Sequence, residues 1–263
     1  MNKKILNWWI GGASYTSEYQ AILDRATALG YTHPSSAQKT KQNQLIVDLK
    51  AAGYWTLIDI FYSPANDGSE GFGQLNWKAP SSYQITKTGS PSWASNTGYT
   101  ASGANTRLST NFNPRSNGVN VTLNSASYGG KFVATRAANI LFGGCTGLTA
   151  TDDAILFQVA AGTNNFFRCH YDGVGSGTLT SGGTNFYCHL RRPDASNEYA
   201  AIDSTEATRA VSSFALPNAA LLIFSNDTFE NNNSVTCKCF WAGANSVAGT
   251  TMKTLLDSYI SNL

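Results

Sequence analysis

Apolar positions recur along this chain with two different periods. In TSEYQAILDRATALG, Tyr19, Ile22, Leu23, Ala26 and Leu29 fall on one face of a 3.6-residue helix. Thr16 or Ser17 can cap it, Glu18 suits its first turn and Gly30 ends it. After His33-Pro34, SAQKTKQNQLIVDLKAAG reads as a second helix with Leu45, Ile46 and Leu49 in its stripe and a stop at Gly53. Both are expected either to pack on the body of the protein or to anchor it elsewhere.

From about Thr56 the period falls to 2. LIDIFY, GQLNWK, SYQITKT, TRLSTNF, GKFVATR, AILFQVA, FFRCHYD, NFYCHLRR, AVSSFAL, ALLIFS and SVTCKCFWAG all read as strands, punctuated by Gly, Asn, Pro and Ser. Short strands with no helix between them predict a mainly β protein, an antiparallel sandwich. The close, TTMKTLLDSYISNL, returns to the helical period. Met252, Leu255, Leu256, Tyr259, Ile260 and Leu263 form its stripe, and Thr250 or Thr251 is the expected cap. This helix should cover an edge or open end of the sandwich. The pattern divides the chain into a helical attachment segment, 1–55, and a sandwich with its terminal helix, 56–263.

Composition agrees with the all-β reading. Only 13 % of the 263 residues are charged, 24 are glycine, and the net charge is +2. That balance offers no electrostatic footprint for nucleic acid. The opening MNKKILNWWIGGAS has a short apolar part broken by Asn7 and no small-x-small site, so no secretory signal is expected. No run of 18 apolar residues is present, so no membrane insertion is expected either. Five cysteines without an export signal suggest reduced thiols.

Two segments, FFRCHYDG and NFYCHLRR, each carry a Cys-His pair, the residue types of a zinc site. Alternation along a strand argues against one. If the two strands pair antiparallel, Cys169 and Cys188 lie on the core face. Arg168, His170, Tyr187, His189 and Arg191 then lie on the solvent face. Ligands on opposite faces cannot converge on one ion, so the cysteines are expected as buried packing residues and no metal is expected. Cys237 and Cys239 should share a face with Val235 and Trp241. Cys145, in a glycine-rich turn, has no assigned role.

No catalytic constellation emerges. There is no Glu-x-Asp-x-x-Glu strand, Gly-x-Ser-x-Gly elbow, Walker loop or dinucleotide fingerprint. Asp152, Asp153, Asp203, Glu206, Asp227 and Glu230 read as solvated loop charges, and no cofactor is implied. The candidate ligand-binding surface is the face carrying Arg168, His170, Tyr187, His189 and Arg191, whose aromatic rings and planar donors suit a sugar or a protein partner. Trp77 and Trp93 are expected in packing roles. Trp8, Trp9 and Ile10 form an apolar cluster ahead of the first helix and are the candidate anchor to a partner.

LIVDLKAAGYWTLIDIFYSPA, GQLNWKAP, STNFNP and the closing ALLIFS…ISNL resemble, in combination, bacteriophage virion proteins that carry a laminin-G-like, concanavalin-like jelly roll. Leu57 stands where that family often has Lys. The resemblance implies a non-enzymatic component of a tail fibre, head fibre or capsid decoration. Its partners would be other virion proteins and copies of itself, and its location the virion, assembled in the host cytoplasm. The alternative is a glycan-binding, lectin-like module that contacts a host-surface receptor. A polysaccharide hydrolase is the third reading.

Overall fold

The structure, a computed structural model, describes residues 15–101, 103, 105–134, 139–144, 154–159, 164–171, 176–180, 183–225 and 234–263. Helix α1 (Ser17–Ala28) is capped by the Thr16 side chain, and α2 (Ser36–Ala51) by that of Ser35. Gly30 and Gly53 follow them at positive φ, the left-handed backbone that ends a helix cheaply only at glycine. Next come β1 (Ile58–Tyr62), the short α3 (Glu70–Gly73), β2 (Thr86–Thr88), β3 (Ser92–Ala94), β4 (Gly98–Ala101), β5 (Arg107–Ser109) and α4 (Pro114–Asn117). Strands β6 (Ala126–Ala134), β7 (Asn139–Gly144), β8 (Ala154–Val159), β9 (Asn164–Tyr171) and β10 (Gly177–Thr180) follow. The chain continues through β11 (Asn185–Arg192), β12 (Asn197–Ile202), β13 (Thr205–Ala210), β14 (Leu222–Ile223), β15 (Val235–Gly243) and α5 (Gly249–Ile260).

The described strands form two antiparallel sheets. Sheet A runs β13-β12-β11-β6-β15-β4-β3, with β1 also on β15; sheet B runs β10-β9-β8-β7-β14-β5-β2. They stack as the predicted sandwich. Between them lies one core that includes Tyr62, Tyr99, Phe132, Phe142, Phe167 and Phe240. A second core lies outside sheet A, where α1, α2 and α5 cover Phe61, Tyr187 and Trp241. The central strands β1, β11 and β15 of sheet A are therefore covered on both faces, while β13 and β3 at its ends are largely exposed, and the opening helices pack on the body. The terminal helix lies over this face, not over an edge or open end as expected. Met252, Leu256, Tyr259 and Ile260 are buried beneath it, with Leu255 and Leu263 packed alongside.

Several local expectations change. GQLNWK is not a strand: the Asn76 carboxamide accepts the N–H groups of Phe61 (3.1 Å) and Lys78 (3.1 Å), which folds the segment back on β1 and buries Trp77. Trp93 packs against the inter-sheet core and donates to the Pro64 carbonyl at 2.9 Å. AVSSFAL is largely irregular beyond the end of β13. Strands β3, β4, β7, β10, β12 and β13 arise from stretches not read as strands.

The Cys-His segments do not pair with each other. β10 folds back on β9, so β9 lies in sheet B beside β8 and β10, while β11 lies in sheet A between β6 and β12. Cys169 and Cys188 enter the same core from opposite sheets, both fully buried. Alternation specifies which residues share a face but not which strand lies alongside. Cys237 and Cys239 do not share a face either. A bulge at Lys238 shifts the β15 register, so Val235 and Cys237 face the inter-sheet core while Cys239 and Trp241 face the helices. Cys145 lies outside the described residues.

Candidate functional site

The five residues expected on one solvent face are divided among three environments. Arg168 lies on the outer side of sheet B, where its Nε donates to Ser176 Oγ at 2.9 Å. His170 is not on the surface. A register shift between β8 and β9 adds a residue at this point, and His170 takes φ 56°, which turns its ring into the protein. There it bridges the Tyr128 hydroxyl and the Leu123 carbonyl, each at 2.8 Å. Burial pushes its pKa down to about 4, so the ring is neutral.

Tyr187, His189 and Arg191 alternate along the outer face of β11, as expected, but α5 begins directly above them. The register of sheet A places Tyr199 opposite Arg191 and Ala201 opposite His189. The Arg191 guanidinium stacks on the Tyr199 ring at 4.4 Å, a cation–π contact. Burial and a hydrogen bond to Glu206 push the Tyr199 hydroxyl up to about 12. Asp203, in the turn to β13, accepts the Tyr187 N–H at 3.1 Å and faces Lys253 of α5 at 3.8 Å. Lys253 and the largely buried Lys131 share the Asp257 carboxylate, which ties α5 to the sheet.

These groups enclose a cleft of about 130 Å³, walled by Arg191, Tyr199, Asp203 and Glu206 on the sheet and by Ala248, Gly249 and Thr250 at the start of α5. His189 and Tyr187 form its floor. The His189 ring is nearly fully buried against Tyr187 and Trp241, and neither of its nitrogens has a hydrogen-bond partner. Burial, reinforced by Arg191, pushes its pKa down to about 3. No side chain caps α5, whose first N–H groups also lack intrahelical partners. Gly249 is what allows this close approach: a Cβ there would lie 2.3 Å from His189 Nδ1.

Sequence reasoning missed Tyr199, Gly249 and the place of Asp203 and Glu206 in the cleft. The signal was present in NEYAAID, where Tyr199, Ala201 and Asp203 alternate as Tyr187, His189 and Arg191 do. The turn residues of RPDASN, with Asp194 accepting from Ser196 and Asn197, set the hairpin that brings the two sets together.

A second polar cluster is largely buried, with Glu198 and Arg192 closed to solvent and Arg209 partly exposed. Glu198, Arg192 and Arg209 lie on the inner side of sheet A at its β13 edge. Glu198 accepts the Cys169 N–H at 2.7 Å and faces Arg209 at 2.7 Å, while Arg192 donates to the carbonyls of Cys169 (2.8 Å), Asn197 (3.0 Å) and Val211 (2.7 Å). These bonds join the bulged end of β9 to sheet A. Burial holds the Glu198 carboxyl above its usual range. Among the described residues no group of three or more His, Cys, Asp or Glu side chains is placed to hold a metal, and no helix is long and apolar enough to cross a membrane. Asp152, Asp153, Asp227, Glu230, Trp8, Trp9 and Ile10 lie outside the described residues.

No family model and no curated protein matches the sequence. Solved structures do match. The botulinum neurotoxin serotype D binding domain superposes with a TM-score of 0.50 at 7 % identity, over 78 % of this chain and 52 % of that one. A Trypanosoma rangeli sialidase mutant displaying trans-sialidase activity gives 0.54 at 7 % identity, over 83 % and 39 %. The same sialidase in complex with a difluoro-KDN sugar gives 0.55 at 9 % identity, over 84 % and 39 %. The likeness is one of fold. This chain is a β-sandwich of the kind found in those proteins and spans about half, or less, of their length.

Proposed function

We propose that this protein is a non-enzymatic recognition module that binds a glycan in the cleft between β11, β12 and the start of α5. The observation that carries this reading is the cleft itself. An arginine-stacked tyrosine ring, two carboxylates and a floor of buried, unpaired polar groups converge in about 130 Å³. Sugars present hydroxyls beside apolar C–H faces, and aromatic rings with a few fixed polar groups match that chemistry. Support for a binding role without catalysis comes from the carboxylates. Asp203 is engaged by the Tyr187 amide and Lys253, and Glu206 by Tyr199. Glu198, whose raised pKa would suit an acid catalyst, is sealed inside the sandwich.

Its place is on a bacteriophage virion, among other virion proteins and copies of itself, with the cleft facing a host-surface glycan. The sequence resemblance described above supports this location. Two experiments address the two parts. On a glycan array the protein should bind a subset of sugars, and Tyr199→Ala or Arg191→Ala should weaken that binding at least tenfold, about 1.4 kcal/mol. An array with no bound glycan, or variants that bind as the parent does, would remove the cleft from consideration. Mass spectrometry of purified particles should find the chain as a stoichiometric component; its absence would remove the virion reading and leave the cleft's intact.

A further inference from the structure

We infer that the first turn of α5 is an acid-opened gate on the cleft: protonation of His189 lifts the turn from sheet A. Only what the gate would control rests on the reading of the cleft given above. The geometry is that of a histidine shut under a helix start. His189 is 1 % exposed, and Gly249 lies so close that a Cβ there would meet Nδ1 at 2.3 Å. Tyr187 and Trp241 pack beside the ring, at centroid distances of 6.2 and 5.5 Å. Neither nitrogen has a partner, so even the neutral ring forfeits hydrogen bonds that water would supply. An imidazolium carries two N–H donors, and the closed turn offers it no acceptor. Opening residues 248–250 hydrates the ring in either state.

The surrounding charges oppose protonation while the turn is closed. Arg191 stands two positions along the same strand, and the first N–H groups of α5 set the positive end of the helix against the ring. The acidic groups nearby are engaged elsewhere. Asp203 faces Lys253 and the Tyr187 amide, and Glu206 the Tyr199 hydroxyl. Asp257 is shared by Lys253 and Lys131, and burial keeps the Cys239 thiol of β15 neutral. Burial, with Arg191 adding to it, therefore pushes the His189 pKa down to about 3. Once the turn opens, the ring protonates near 6.5, as histidines do in water. Below pH 6.5 the open form takes up a proton that the closed form refuses, so acid favours opening. The rest of α5 stays in place. Against the effect of burial, Lys131 and Lys253 hold the Asp257 carboxyl below its usual range, and Leu256, Tyr259 and Ile260 remain buried on the sheet.

Amide hydrogen exchange of the full chain tests the gate at the Met252 N–H, which donates to the Ala248 carbonyl at 3.0 Å. Between pH 7 and pH 5 the proton taken up on opening raises the opening constant about 25-fold. Met252 protection, corrected for intrinsic exchange, should fall by that factor. His170→Asn should leave the fall in place, and His189→Phe should reduce it to less than about threefold. His189→Leu is the second apolar variant, for use if the Phe ring does not fit. At both pH values Met252 should exchange faster than the amides of β15, because the gate opens without the sandwich unfolding. A fall of less than about threefold in the unaltered chain overturns the inference. So does an undiminished fall in the His189 variants, or Met252 protection equal to that of β15 at both pH values. If neither variant folds, the unaltered chain decides alone. A glycan array with no bound sugar removes the reading of the cleft and leaves this measurement standing.

Discussion

His170 shows how much one backbone angle decides. At φ 56° it leaves the alternation of β9, and its ring becomes the bridge between Tyr128 and the Leu123 carbonyl. Asn, Asp and His are the non-glycine residues that adopt this region most readily, so the residue type is compatible with the bulge. Burial also sets a pH dependence. His170 and His189 are held neutral, with pKa values near 4 and 3, whereas the unfolded histidines protonate near 6.5. Below pH 6.5 the unfolded chain therefore binds protons that the folded one does not, and stability falls as pH falls toward 4. The expected slope is about 1.4 kcal/mol per pH unit for each histidine. Urea midpoints between pH 7 and 4.5 should show it, and His170→Asn, which tolerates the same φ, should lower the slope. An unchanged slope would mean that the ring is not held neutral in the folded protein.

At the scale of elements, α5 carries the most weight, because it closes the second core and supplies one wall of the cleft. Its stripe of Met252, Leu256, Tyr259 and Ile260 was legible from the 3.6-residue period alone. The Tyr259 hydroxyl also accepts a hydrogen bond from the Gln42 side-chain amide at 3.2 Å, which joins α5 to α2. Leu256→Ala should cost about 2–5 kcal/mol, the usual range for a buried leucine, and half-buried Leu255→Ala clearly less. Chemical denaturation of the two variants checks the order. A cost below about 0.5 kcal/mol for Leu256→Ala would contradict the packing of α5 on the sheet. Because the start of α5 also walls the cleft, Leu256→Ala should weaken glycan binding, whereas Leu255→Ala should leave it nearly unchanged.

For the whole molecule the consequence of two cores is that the centre of sheet A is covered on both faces, while its β13 and β3 edges stay exposed. Cys169, Cys188 and Cys237 open into the inter-sheet core and Cys239 into the helical one, all fully buried, with burial pushing each thiol's pKa upward. The thiolate is the reactive form, so these four should resist a thiol reagent in the folded protein. In a Cys145→Ser background, Ellman's reagent should titrate essentially no thiol at pH 8 and all four once urea unfolds the chain. Rapid reaction of even one thiol before unfolding would place that cysteine at the surface.

Local pattern determined a good deal by itself. The helices, the cap of the first at Thr16, many of the strands and the class of sandwich follow from the spacing of apolar residues and from Gly and Asn at turns, all short-range effects. The two helices and α5 each carry an apolar stripe that must be covered, and that requirement was also readable. What the chain's own order does not state is where the cover comes from. The outer residues of β11, Tyr187, His189 and Arg191, alternate as a solvent-facing set would, and only the docking of α5 over β11, some sixty positions later in sequence, made them a buried floor and wall. Likewise the bulges at His170 and Lys238 move Cys239 and His170 to faces that strict alternation denies them. Period 2 fixes relative facing within an unbroken strand. Strand neighbours, bulges and the layer above a sheet are set by contacts between residues distant in sequence, so the cleft exists only in the folded chain.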